Sequence, residues 1–463
     1  MSDKIKGTAY YGIHFLIFLI IIELSWILGS KVSEMLLSLI ESDGILFDQI
    51  QAAEQLFHYA VAATVFPWGI LIDKKSEWRK YILVVSNLVW IAGSSLLYFM
   101  PTSFHLYCGI QIIWGISFGA NGPIIGSYLG DLFRINKRGT LFSIFTIFVY
   151  IIKAGAIGIN GILGSYLDDW KIPNFIFAII GLISLILFLI IGKEPKLAAV
   201  EPEFKELIQE GYKYKRNITL EGLKAVIKKP TNLLFLFQGI SGMIGVSIVT
   251  RYMNYWFTST MGMQINQFVA SIILGAGAAV GALIGILLVG KWIDKKFKEG
   301  NLNKSLYFSI VCLFMQVVFY FILTMVLTYP ETIEPENNTI KGIFNAYPVF
   351  YAFIIVFNLC SFCGTPVGTT VGVARTHVNL PENRGTAAAL YDLFDFIGSG
   401  LAIAIGQFFF SIFSGYQITI FAGSCFWIVS GILWLFIVKF IQKDYQEIRN
   451  TLSKRARNKS PSK

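Results

Sequence analysis

The sequence predicts an all-α membrane protein of twelve transmembrane helices in two pseudo-symmetric six-helix halves. Three observations carry this. First, the 463 residues are 55% hydrophobic and only 14% charged, with a mean hydropathy of +0.63, whereas a soluble domain carries about a quarter charged residues. Second, apolar runs of about 20 residues, the length that crosses a bilayer as a helix, recur along the chain. Third, a charged turn occurs twice: GILIDKKSEWRK at 69–80 returns as GKWIDKKFKEG at 290–300.

The runs fall at 10–30, 50–72, 81–100, 103–128, 140–166, 173–192, 232–258, 266–292, 305–328, 347–372, 387–413 and 416–441. Met1–Ala9 leads straight into the first of them, so no cleavable signal peptide is expected. Lysine and arginine crowd alternate connections: Lys74, Lys75, Arg79 and Lys80, then Arg134, Lys137 and Arg138, then 193–230. They continue at Lys295, Lys296, Lys298 and Lys304, at Arg375 and Arg384, and in the tail. The intervening loops are acidic or neutral. This bias marks the cytoplasmic side and places both termini there, in an integral, multi-pass protein expected in the plasma membrane. The net charge of +10 is thereby topology and attraction to membrane lipids, not a nucleic-acid footprint.

Functions needing a cofactor or metal find little support. The five cysteines lie in predicted spans, and Cys360-x-x-Cys363 has no second pair or histidine cluster beside it, so both read as small packing residues. Neither a phosphate loop nor a nucleophile–base set is present. No enzyme, cofactor or metal site is expected.

The hydrophilic segment 193–230 divides the spans six and six. The organisation expected is a bundle at 1–192, a cytoplasmic linker at 193–230 with amphipathic interfacial helices, a second bundle at 231–441 and a basic cytoplasmic tail at 442–463. Asp73-Lys-Lys and Asp294-Lys-Lys follow the second span of each half. Arg138-Gly-Thr and Arg384-Gly-Thr precede the fifth span of each half. Two repeats at matching places indicate a duplication of the kind rocking transporters use.

Twelve spans in two halves, with G-x-x-x-D-[RK] after spans two and eight, resemble the major facilitator superfamily. GSYLGDLFRINKRGTLFSIF (126–145), GKEP (192–195) and NRGTAAALYDLFDFIGSG (383–400) resemble its Spinster-like branch more closely. The resemblance implies a solute carrier for lysophospholipids or sphingoid phosphates, often proton-coupled. Two departures stand out. Ser76-Glu77-Trp78 intervenes before Arg79-Lys80, and the branch's arginine and glutamate of span four are replaced by Gln111 and Phe118.

Ionisable residues within spans mark function by default, because each costs a few kcal/mol or more to bury in lipid. At ~1.5 Å per residue, Glu23, His58 and Lys153 each lie about 20 Å from the cytoplasmic helix ends, near the midplane of a ~30 Å core. They form a candidate substrate or proton site, with a Glu23–Lys153 pair serving either transport or static structure. His58 reads equally as a packed histidine. Glu54 stands one turn from His58 on the same face. Arg251, beside Tyr252, Tyr255 and Trp256, reads either as a snorkelling cation or as the captor of a phosphate or carboxylate. Asp392 and Asp395 stand one turn apart on span eleven; each reads either as a proton or cation site or as a pairing partner at the gate, with the gate preferred for Asp392 and both open for Asp395. The gate set is Gly69, Asp73, Lys74, Arg79, Lys80, Arg138, Glu194, Gly290, Asp294, Lys295, Arg384 and Asp392. Within it, Asp73 is placed to accept hydrogen bonds from the start of span eleven, and Lys74 and its neighbours to pair across the closure. Gly155, Gly158, Gly161 and Gly164 on span five, and Gly277, Gly281 and Gly285 on span eight, read as packing surfaces; the resemblance implies that the halves meet at these two spans.

The function expected is secondary active transport by alternating access, coupled to protons, with an anionic or amphiphilic substrate such as a lysophospholipid. A carrier of small polar organic anions or peptides is the alternative; a transport-inactive sensor and a membrane-embedded enzyme rank below it. The expected partners are a small-molecule or lipid substrate, protons and membrane lipids, and a monomer is expected.

Overall fold

The computed structural model describes residues 40, 44–45, 47–133, 135–167, 169–192, 194–198, 200–210, 212, 214 and 219–458. Eleven helices among them are long and apolar enough to cross a membrane, and no strand occurs among the described residues. They are the sequence's spans two to twelve; the first predicted span lies outside the described residues. Span two is Phe47–Lys74 and span three Arg79–Phe99. Span four is Phe104–Phe118 continued by Asn121–Leu132, span five Arg138–Leu167 and span six Lys171–Ile191. Pro230–Thr258, Gln267–Lys298 and Tyr307–Phe321 are spans seven to nine. Val349–Gly364 with Pro366–Val378 is span ten, and Arg384–Phe413 span eleven. Span twelve is Tyr416–Ser424 followed by Phe426–Arg457, so the basic tail continues the last helix without a break.

Local chemistry sets the ends. The Ser103 hydroxyl accepts from Leu106 N and the Asn266 carbonyl from Phe268 N, capping spans four and eight. Pro230 occupies the first turn of span seven, where its missing N–H costs nothing. Span eleven stops at Ser414, in the left-handed region at φ 51°.

The duplication is visible in these details. Spans five and eleven are both 30 residues long, both begin Arg-Gly-Thr, and both follow a short 3-10 turn, Ile135–Lys137 and Pro381–Asn383. Spans four and ten both break midway, after Phe118 and after Gly364. The packing repeats too: spans two, three and six pack as two on four, three on four and three on six, mirrored by eight on ten, nine on ten and nine on twelve. Each half has its own core, around Trp90, Trp114, Trp170 and Phe188 in the first and Phe235, Trp427 and Trp434 in the second. In lipid such cores hold mainly by close packing, and small residues permit it. The glycines of span eight do this within their own half: a Cβ on Gly281 would sit 1.9 Å from Asn358 O, and one on Gly285 2.3 Å from Phe362 O, both on span ten. These glycines therefore pack against span ten and not across the junction. The halves meet where span five lies on span eight, as the resemblance implied, and where span two lies on span eleven.

Candidate functional site

The repeated turn and the repeated Arg-Gly-Thr meet crosswise on the basic face of the molecule. Asp73, at the end of span two, accepts from Gly385 N at 2.9 Å and Thr386 N at 2.6 Å, the first turn of span eleven in the other half. Asp294, at the end of span eight, accepts from Gly139 N at 2.8 Å, Thr140 N at 3.0 Å and Thr140 Oγ1 at 2.5 Å on span five. A carboxylate facing the free N–H groups of a helix start is held by those bonds and by the helix dipole. The glycine in each triplet is required for the approach. A Cβ on Gly385 would lie 2.7 Å from Asp73 Oδ1, and one on Gly139 2.6 Å from Gly290 O. Gly69 and Gly290 serve the same closeness from the opposite helices, Gly69 against Ala389 and Gly290 against Ser143.

Beside the Asp73 junction lies a buried charge network whose acidic half comes partly from the segment joining the halves. Arg79 donates to Asp131 and to Glu194, both at 2.7 Å, and Glu194 also accepts from Lys80 N. Lys80 Nζ caps the carbonyls of Leu189 and Gly192 at the end of span six. Asp131 accepts from Arg384 at 3.2 Å. Glu201, wholly buried, accepts from Arg384 at 2.5 Å, from Arg138 at 3.2 Å and from Arg449 of the last helix, which also reaches Glu203. Burial pushes the Glu201 carboxyl up, but the guanidiniums of Arg384, Arg138 and Arg449 outweigh it and hold the group well below the usual carboxylate range. Farther along, Arg455 binds Glu382 at 2.7 Å and the Tyr214 hydroxyl at 2.5 Å. Phe204 and Tyr214 pack on Ile448 and Leu452. The connecting segment is thus a plug with buried groups as well as a carrier of the amphipathic helix Leu220–Lys228.

Ser76–Trp78 forms one 3-10 turn between spans two and three. It restarts the chain at Arg79, from which the guanidinium reaches Asp131 and Glu194; this accounts for the insertion. Lys74 and Lys295 do not pair across the junction. Both are exposed, and neither has an ion-pair partner among the described residues; the adjacent Asp73 and Asp294 are spent on helix starts.

Deeper between the halves, Asp392 pairs with Arg375 of span ten at 3.4 Å, and Arg375 lies over the Tyr391 ring at 4.9 Å. Asp392 also presses on span four: a Cβ on Gly122 would sit 1.5 Å from its Oδ2. One turn on, the half-buried Asp395 carboxyl faces Gly239 of span seven and has no hydrogen-bond or ion-pair partner among the described residues. His58 stacks near Phe396 of span eleven, ring centroids 5.9 Å apart, and Phe396 meets Phe118. Glu54 stands one turn away on span two. Arg251 is half-buried on span seven, and its neighbours Tyr252 and Trp256 pack on Phe410 and Tyr329. Lys153 belongs to the span-five helix, but its side chain and the whole of Glu23 lie outside the described residues. Gln111, in the place of the branch's arginine, is buried and donates to Tyr107 OH of its own helix. Glu201, Asp131, Arg375 and Arg449 were missed as site residues. Their only sequence signal was opposite charge on segments far apart in the chain.

Two repeated halves, with eleven membrane-length helices among the described residues, latched across one face and holding buried acids and cations, define a multi-pass membrane protein. The chain belongs to the Major Facilitator Superfamily, which matches residues 13–333. It is 23% identical over 248 residues to Protein spinster homolog 3 of Danio rerio, covering 50% of this chain and 47% of that one. It is 27% identical over 249 residues to the sphingosine-1-phosphate transporter SPNS2 of the same fish, covering 50% and 46%. A facilitated trehalose transporter Tret1-2 homolog of Drosophila simulans is 26% identical over 245 residues, covering 46% and 47%. The chain spans about half the length of these relatives. The crystal structure of the Escherichia coli fucose:proton symporter FucP superposes with a TM-score of 0.64 at 13% identity, covering 93% of this chain and 98% of that one; that likeness is one of fold. These proteins are transporters, not enzymes.

Proposed function

We propose that the chain is a secondary active transporter that works by alternating access, coupled to protons and carrying an anionic amphiphile such as a lysophospholipid. The observation that carries the reading is the crosswise latch. Asp73 caps a helix of the second half and Asp294 a helix of the first, so one rocking motion breaks or makes both together. The lysine- and arginine-rich latch face is the cytoplasmic one, with both termini on that side of the plasma membrane. Latched, the protein is closed to the cytoplasm.

Asp395 is the proton carrier. It lies about 16 Å up span eleven at ~1.5 Å per residue, against span seven of its own half and with no hydrogen-bond or ion-pair partner among the described residues. Arg375, paired with Asp392 of its own half at 3.4 Å, exchanges that carboxylate for an anionic headgroup, and Arg251 and Lys153 line the same path. The name of the SPNS2 relative favours a phosphorylated amphiphile; that of the Tret1-2 relative favours a sugar. Uptake into proteoliposomes under an imposed pH gradient decides between them. The reading expects labelled lysophospholipid to accumulate in the wild type with the gradient and Asp395→Asn to lose that dependence while still exchanging substrate. Accumulation of trehalose or of a water-soluble organic anion, uncompeted by lysophospholipid, would replace the lipid assignment.

A further inference from the structure

The two latches are not equally furnished. Around Asp73 the arginines are neutralised from within the chain, Arg79 by Asp131 and Glu194 and Arg384 by Glu201, which also takes Arg138 at the start of span five, while Lys74 and Lys75 stay exposed on the surface. Around Asp294 a cavity of about 500 Å³ opens between the halves, lined by Lys137 and Thr140 of the first half and Lys291, Asp294, Lys295 and Lys298 of the second. That volume is within the range of small-molecule sites. None of the four lysines has a carboxylate partner among the described residues. Asp294 is committed to Gly139 and Thr140, and the remaining acid of the lining, Glu299, pairs with Lys296. Four ammonium groups facing one recess repel one another, and lysine binds phosphate as a point charge.

We propose that this cavity binds a multiply charged phosphate anion that takes the place of Glu194 and Glu201 at the second latch. Because Lys137 belongs to one half and Lys291, Lys295 and Lys298 to the other, the bound anion bridges the halves and favours the latched state. It therefore acts as a brake on the cycle proposed above, although the binding itself does not depend on what the protein carries. The phosphate is either a soluble polyanion or the headgroup of an anionic lipid, since the recess lies at the end of a membrane helix.

The test is thermal melting of the purified full chain with two probes. Inorganic tripolyphosphate is titrated onto protein in neutral detergent, and phosphatidylglycerol is introduced into phosphatidylcholine nanodiscs. A rise in melting temperature with tripolyphosphate identifies the soluble anion, and a rise with phosphatidylglycerol alone identifies the headgroup. In either case Lys137→Gln and Lys298→Gln, one from each half, should each weaken the response by about tenfold, roughly 1.4 kcal/mol. Lys137→Arg and Lys298→Arg keep the charge and should retain it, which separates lost binding from misfolding. Lys224→Gln with Lys228→Gln, on the exposed face of the connecting helix, controls for general attraction of anions. The proposal fails if neither probe raises the melting temperature, or if the glutamine variants at 137 and 298 respond like the wild type.

Discussion

Replacing Asp73 by Asn should shift the protein toward release of the basic face without removing its substrate site. The side chain accepts two backbone N–H bonds, from Gly385 at 2.9 Å and Thr386 at 2.6 Å, at a buried helix start. Hydrogen bonds to a charged group contribute about 1.5–3 kcal/mol each, and the helix dipole adds ~0.3–1 kcal/mol. Asn keeps one acceptor oxygen but loses the charge and turns its amide donors toward another donor. A loss of about 3 kcal/mol is expected, roughly 150-fold in the ratio of latched to released protein. Asp294→Asn loses the equivalent contacts to Gly139 and Thr140 and should act on the same equilibrium, so the double variant approaches ~6 kcal/mol. Spin labels on Glu77→Cys and Glu299→Cys, both exposed and on opposite halves, in a background lacking the native cysteines, report the separation directly. A second, longer distance should gain population in each single variant and dominate in the double, with substrate affinity nearly intact and turnover slowed. An unchanged distance distribution in the double variant, or a large affinity loss with normal cycling, would refute the reasoning.

Three further outcomes follow from the same geometry. Because Glu201 is held ionised well below its unfolded value, its contribution to stability is complete above the ordinary carboxylate range and is lost only as pH falls through the depressed folded value; Glu201→Gln should therefore lower the melting temperature by the same amount at every pH from about 5 to 8, and a gap that closes within that window contradicts the assignment. Gly385→Val places a branched side chain where a Cβ alone would already lie 2.7 Å from Asp73 Oδ1, so it should release the latch at least as fully as Asp73→Asn in the same distance measurement. Lys74→Gln, which removes an exposed ammonium with no ion-pair partner among the described residues, should leave both distance distribution and turnover at wild-type values.

Features encoded in a few consecutive residues were legible in the sequence. Apolar runs marked the eleven described spans, and Asp73-Lys-Lys and Arg138-Gly-Thr with their second copies marked the duplication. That the two repeats meet each other, crosswise, is a tertiary fact with no local signature. The same holds for Glu201, one of several glutamates in a mixed-charge stretch that reads as solvated; only the fold brings Arg138, Arg384 and Arg449 around it. Small residues on span eight were read correctly as a packing surface, but spacing does not name the partner helix, and it proved to be span ten. Lysines were over-read for a physical reason: Lys74 and Lys295 keep their charges in water, while the buried pairing falls to arginines, whose planar fork satisfies several acceptors at once. Ser76–Trp78 gained its meaning only from where it delivers Arg79.

In the alternating-access cycle proposed above, the halves must part at the latch for substrate to pass. Thr146 of span five and Thr369 of span ten meet across the halves beside it, their hydroxyl oxygens 3.4 Å apart, so cysteines at both positions should cross-link under mild oxidation. Uptake of labelled lysophospholipid by proteoliposomes containing this double-cysteine protein, oxidised and then reduced, is the direct measurement. The account predicts that uptake stops on oxidation and returns with reductant; full uptake by cross-linked protein would contradict it.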